Sequence, residues 1–202
     1  MGRLIRFPSN NELRMTNLVL NPINPRIEHT FENSHRRILL DRGDGWWEGT
    51  ATFGPVRDAE DVRTVESFFM DLNSGDCYTT LLLIRPKALS RDNVGEGDIT
   101  NVTDNVVRFS KFGRWLDVDK GAFICNRNTG QTVRVIDVID ENTNRSYRVQ
   151  PNIVSWSRRD AVKSFKFMNI RLNTAVNLPV TPHWAGGWTM AFTEWRAKNV
   201  RT

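Results

Sequence analysis

Residues 35–84 read HRRILLDRGDGWWEGTATFGPVRDAEDVRTVESFFMDLNSGDCYTTLLLI, and their patterning decides the fold class. Arg37 to Asp41 is a short apolar strand. Arg42-Gly43-Asp44-Gly45 is a tight turn, with glycines free to take positive φ. Trp46 to Phe53 is a longer strand. Its residues Trp47, Gly49, Ala51 and Phe53 share an apolar face, while Trp46, Glu48, Thr50 and Thr52 share the other. Asp58 is placed to cap a helix over 58–73, with Glu60 and Asp61 in the first turn, where the helix dipole favours negative charge. Val62, Val65, Phe68, Phe69 and Leu72 recur at helical spacing, and Gly75 marks the stop. Tyr78 to Ile84 is a third strand. The stretch therefore predicts a hairpin, a crossing helix and a closing strand, with Trp47 and Phe53 against the apolar face of the helix.

Upstream, residues 1–35 are weakly patterned. Leu18-Val19-Leu20 is a short apolar run, and Asn21-Pro22-Ile23-Asn24-Pro25 interrupts regular structure, because proline lacks a donor and restricts the residue before it. Residues 27–31 alternate as an edge strand. The expectation is an extended N-terminal arm. Downstream, residues 85–103 form a long polar connection. Short β-like runs follow at Val106–Phe109, Ala122–Asn126, Thr132–Ile139 and Ser146–Gln150, with turns at 127–130 and 140–144. Strands this short at this spacing predict a small barrel, with Phe109, Phe112, Trp115, Phe123 and Tyr147 filling its core. Lys163 to Leu172 is read as one strand with Phe165, Phe167 and Ile170 inward. Leu178–Pro182 is a proline-bounded connection. The last strand, Gly187 to Trp195, alternates Trp188, Met190 and Phe192 with Thr189, Ala191 and Thr193.

The chain has 202 residues, 39% of them hydrophobic, with 7 Trp and 11 Phe against 2 Tyr. That is a globular composition, long enough to bury roughly 70% of the surface the unfolded chain exposes. The 28 basic residues are scattered among 23 acidic ones and leave a net charge of +5, with no block of like charges to mark a nucleic-acid tail. Cys77 and Cys125 lack CxxC spacing and are read as reduced thiols. Nothing resembles a signal peptide or a membrane span, so synthesis and folding in a cytoplasm are expected. His29, His35 and His183 do not make a zinc pattern. No nucleophile-elbow, phosphate-loop or dinucleotide fingerprint occurs, and Gly95-Glu96-Gly97 lacks a third glycine. Asp104, Asp117 and Asp119 could supply a glycosidase pair, but acids beside β-turns are ordinarily solvated. The residues point to no enzyme activity, metal or cofactor.

The strand WEGTATFGPV, an acid-started helix with an aromatic pair, a hydrophobic strand, the segment from Leu116 to Ile124 and the closing MAFTEW together resemble tail proteins of tailed bacteriophages, of the distal-tail or tail-tip hub type. The resemblance covers roughly residues 36–195. It implies a mainly β fold: a β-sandwich or split-barrel tail-hub domain with one crossing helix, plus a small inserted β-barrel. The implied layout is an arm at 1–35, a main domain at 36–99 and 160–202, and the insertion at 100–159. The implied role is a structural virion protein forming a ring, commonly a homo-hexamer, that joins the tail tube to the baseplate or receptor-binding proteins. Assembly would occur in the host cytoplasm, and nucleic acid would be met only as the passing genome. Ring interfaces are heterologous and rely on distributed aromatic and arginine contacts. Candidate contact residues are Ile23, Ile27 and Phe31 on the arm, Arg42, Asp44 and Trp46 at the hairpin tip, and Arg91 and Asp98 in the polar loop. The alternative is a small-barrel protein that binds nucleic acid through aromatics on one face.

Overall fold

A computed structural model describes residues 2–9, 12–30, 37–41, 43–74, 76–83, 95–164, 167–174, 176, 180–181, 184–185 and 188–196. In chain order the strands are β1 (Arg3–Ile5), β2 (Met15–Ile23), β3 (Arg26–Thr30), β4 (Arg37–Asp41) and β5 (Trp46–Phe53), followed by the helix α1 (Ala59–Asn73). Next come β6 (Cys77–Leu82), β7 (Glu96–Asp98), β8 (Asn101–Thr103), β9 (Val106–Ser110), β10 (Phe123–Asn126), β11 (Thr132–Asp140) and β12 (Asn144–Gln150). The last are β13 (Ala161–Ser164), β14 (Phe167–Leu172), β15 (Val180–Thr181), β16 (Trp184–Ala185) and β17 (Thr189–Glu194). The fold is mainly β, with one helix among the described residues.

The chain divides into two compact units: residues 1–21, 47–84 and 166–202 form one, and residues 22–46 and 85–165 the other. These limits differ from the expected ones. The first twenty residues are not an arm. β1 pairs in parallel with β6, Arg3 opposite Cys77, and β2 is the strand beside β5.

In the first unit the sheet order is β1-β6-β14-β17-β5-β2. Strand β5 buries every second residue, Trp47, Gly49, Ala51 and Phe53, as its alternation predicts. β17 does the same with Met190 and Phe192 and runs antiparallel to β5, Met190 opposite Ala51. Helix α1 starts as expected: the Asp58 carboxylate accepts from the Glu60 amide at 2.8 Å. Its stop is made by Ser74, whose amide donates to the Asp71 carbonyl at 3.1 Å, and Gly75 lies outside the described residues. Val65, Phe68, Phe69 and Leu72 are buried. Phe53 meets Phe69 edge-on at 6.3 Å, and Phe69 also packs on Phe68 at 5.0 Å and on Trp188 at 6.0 Å. The expected contact between strand and helix thus runs through Phe53. Trp47 is buried, and its amide donates to the buried Glu194 carboxylate at 3.3 Å.

In the second unit seven strands follow the order β7-β13-β10-β11-β12-β9-β8. The two outermost strands are consecutive pieces of one segment, separated by Ile99 and Thr100. The expected small barrel is therefore realised as an open seven-stranded ladder and not as a closed barrel. Its core holds Ile99, Val107, Phe109, Leu116, Ile124, Val133, Val135, Tyr147, Val149 and Val162. A register shift between Val135 and Asp137 explains why the alternation of β11 is imperfect: a bulge adds one residue and resets the phase. Asp104 (φ 48°) and Asn105 (φ 63°) are both left-handed and close the two-residue turn from β8 to β9, a hairpin geometry that asparagine and aspartate tolerate.

Two strand assignments change. β4 does not fold back on β5. It pairs antiparallel with β3, Ile27 opposite Leu40, in a separate two-stranded ladder. The run read as Lys163–Leu172 is two strands: β13 belongs to the second unit and β14 to the first. Ile170 is buried as expected, whereas the side chains of Phe165 and Phe167 lie outside the described residues.

Candidate interaction surface

The turn that was expected to connect a hairpin serves as a staple inside the second unit. Gly43 takes φ +103° and aims Asp44 at the segment after β12. One Asp44 carboxylate oxygen accepts from the amides of Val154 (2.6 Å) and Ser155 (2.9 Å), and the other accepts from the Ser155 hydroxyl. The Gly45 amide donates to the Asn152 carbonyl at 2.8 Å. Gln131, fully buried, donates through Nε2 to the carbonyls of Gly45 (2.9 Å) and Asn152 (2.7 Å). Asn24 Oδ1 accepts from the Asn152 amide at 2.8 Å, and Asn105 Oδ1 accepts from the Ile153 amide at 2.9 Å. Backbone groups of an irregular segment, 151–155, are thus satisfied by side chains.

Asp44 is consequently spent within the chain and does not offer a free carboxylate to a partner. Ile23 ends β2 half-exposed, and Trp46 opens β5 half-exposed. Asp98 lies on β7, opposite Ala161, and its amide donates to the Arg114 carbonyl at 2.9 Å. Ile27 lies on β3 with its side chain outside the described residues, and Phe31, Arg42 and Arg91 are outside them altogether. Of the expected contact residues, Ile23 adjoins the turn that carries Asp44 and Trp46: its carbonyl oxygen would lie 2.6 Å from a Cβ added at Gly45.

What the sequence reading missed is Phe112. It was assigned to the core with Phe109, Phe123 and Tyr147, which are buried. Phe112 is instead 86% exposed. It sits at the tip of the turn after β9, and the turn is fixed on several sides. The Phe112 amide donates to Ser110 Oγ at 3.3 Å and the Lys111 amide to the Thr143 carbonyl at 3.0 Å. Lys111 is ion-paired with Asp140 and donates to the Glu141 carbonyl at 2.6 Å. Arg114 pairs with Glu96 at 2.6 Å. Nearby, Arg145 pairs with Asp117 (3.1 Å) and Asp140 (3.3 Å) and lies over the rings of Trp115 and Tyr147 at 5.7 and 5.9 Å. The turn thus holds its backbone in place and leaves a large apolar side chain in water. Its only sequence signal is phase: Val107 and Phe109 point inward, and residue 112 falls out of that alternation just before Gly113.

Tyr147 donates to the Leu116 carbonyl, and burial pushes its phenol up to about 12, so it stays neutral at ordinary pH. Asp117 is tied to Arg145, and Asp104 and Asp119 are exposed on turns. Among the described residues, no group of three or more His, Cys, Asp or Glu side chains could hold a metal ion, and no helix is long and apolar enough to cross a membrane.

The buried acid that matters is Asp160, another residue the sequence did not single out. Burial raises its pKa, but hydrogen bonds outweigh that: it accepts from Asn126 Nδ2 (2.8 Å), the Ser157 amide (2.9 Å), Asn128 Nδ2 (2.6 Å) and Ser157 Oγ (3.2 Å), and the net shift is downward. These bonds tie the turn after β10 to the start of β13. A carboxyl whose folded pKa is depressed contributes stability in full above its unfolded pKa of about 3.9 and loses it as pH falls through the folded value. Asp160→Asn should therefore lower stability at pH 7 by about 1–3 kcal/mol and flatten the acid limb of a stability profile below pH 4, as read by urea titrations at several pH values.

No protein-family model matches the chain, and no curated protein matches it significantly.

Proposed function

We propose that this chain is a structural, ring-forming component of the distal end of a bacteriophage tail. The observation that carries the reading is the order of parts along the chain: a Trp-led strand, a capped helix with a buried phenylalanine pair, a seven-stranded sheet whose strands all fall between β6 and β14, and a return strand that pairs with β5. This order follows the segments in which the sequence resembles tail-hub proteins. The exposed Phe112, on a turn tied by backbone hydrogen bonds and ion pairs, is the aromatic this reading places at a contact with a partner. On this reading the partners are further copies of the chain, the tail tube protein and the tail-tip proteins, and the site of action is the virion.

Purified protein imaged by negative stain is expected to show closed rotational assemblies, and Phe112→Asp is expected to shift them toward smaller species without lowering the melting temperature. A strict monomer at high concentration, even with neighbouring tail proteins present, would overturn the reading. So would tight, sequence-independent DNA binding that weakens about 10³-fold or more over a modest rise in salt, which is the result expected of a nucleic-acid module.

A further inference from the structure

Strand β2 is nine residues long and ends the sheet order beside β5. Its connection to the neighbouring strand includes the Gly54 amide donating to the Arg14 carbonyl at 2.9 Å and Thr16 Oγ donating to the Thr52 carbonyl at 3.1 Å. Its other side has no ladder partner among the described residues. Two properties make this edge unusual. None of its nine residues is buried, although Met15, Leu18, Val19, Leu20 and Ile23 are apolar; Val19 is 43% exposed. And its sequence, MTNLVLNPI, contains no Asp, Glu, Lys or Arg. Soluble proteins ordinarily guard a long edge strand with charges, proline, bulges or a covering element, because a bare row of N–H and C=O groups templates pairing with another chain; in β2 only Pro22, near the end, is such a residue, and residues 15–21 hold neither charge nor proline.

We propose that β2 pairs with β2 of a second copy of this chain, antiparallel, so that the sheet runs from one copy into the other. Residues 15–21 are the stretch before Pro22, and centring the pair on them puts the two-fold axis at Leu18. In that register Leu18 lies opposite the partner's Leu18, Thr16 opposite the partner's Leu20, and Asn17 opposite the partner's Val19. One face of the joined strands gathers Leu18 and Leu20 of both copies as direct and diagonal neighbours. An uncharged strand opposed to itself places no like charges together. The other edge of the sheet, β1, is three residues long and begins with Arg3, so it offers β2 a much shorter partner. A single strand pair buries less than the roughly 1,200 Å² of a standard interface, so the association is concentration-dependent.

The pairing does not depend on the ring reading, and its test separates the two. Sedimentation over a wide concentration range should give the wild-type protein a limiting mass that is an even multiple of the chain. Asn17→Lys/Val19→Lys puts lysines opposite lysines at two exposed positions and should halve that mass, whether it began as a dimer or as a pair of rings. Asn17→Glu/Val19→Glu should do the same, and mixing the lysine and glutamate variants should restore the original mass. Leu18→Cys should form a disulfide-linked dimer on mild oxidation. A wild-type protein that is monomeric throughout, a lysine variant of unchanged mass, a mixture that stays at half mass, or a Leu18→Cys protein that does not cross-link would each overturn the proposal.

Discussion

Phe69→Ala is expected to lower stability by about 3–5 kcal/mol, the largest effect of any single truncation in helix α1. The ring is fully buried and touches three others: Phe53 from β5, Phe68 from its own helix and Trp188 at the start of the return strand. Removing it withdraws one wall from each and leaves a cavity that rigid neighbouring rings cannot close. Phe69→Leu retains most of the volume and should cost under about 1.5 kcal/mol. Met70, the next residue, is 69% exposed, and Met70→Ala should change stability by no more than about 0.5 kcal/mol. Denaturant titrations of the three variants test the packing of the helix directly. Comparable losses for Phe69→Ala and Met70→Ala would mean that another face of α1 is buried.

Gly45→Ala is expected to be the most damaging single-methyl substitution in the second unit, at roughly 2–4 kcal/mol. An added Cβ would lie 2.5 Å from Pro151 Cβ, 2.6 Å from Asn24 Oδ1 and 2.6 Å from the Ile23 carbonyl oxygen. Two of these are backbone or ring atoms, so the clash must be relieved by moving the turn. Any such movement pulls the Gly45 carbonyl from Gln131 Nε2 and the Gly45 amide from the Asn152 carbonyl. Gly43, two residues earlier, has nothing within 4 Å of its added Cβ but sits at φ +103°, so Gly43→Ala carries only backbone strain. A thermal melt in which Gly45→Ala matches wild type would show that residues 43–45 are not docked against 151–155.

Much of the first unit was legible because its signals are local. The alternation of β5 and β17 and the 3.6-residue spacing of Val65, Phe68, Phe69 and Leu72 each specify a face without reference to distant chain. The Asp58 cap is likewise read from four residues. What failed was pairing. Arg42-Gly43-Asp44-Gly45 has the chemistry of a hairpin turn, and nothing nearby shows that β4 prefers β3 or that Asp44 is committed to the amides of Val154 and Ser155, 110 and 111 residues away. The same distance hides the place of residues 1–21, since the partner of β1 is β6 and lies more than seventy residues on. The candidate surface was legible only in kind. Aromatic content suggested contacts, but separating an exposed Phe112 from a buried Phe109 requires knowing that β9 ends at Ser110. Asp160 was invisible because its four donors come from two separate turns.

Assembly into a closed oligomer can be read from the native mass of the purified chain. The protomer is 23.3 kDa. At high concentration one dominant closed oligomer of fixed multiplicity is expected, which Phe112→Asp weakens while the fold persists. A wild-type chain that remains at the protomer mass at every concentration, alone and with tail proteins added, would contradict it.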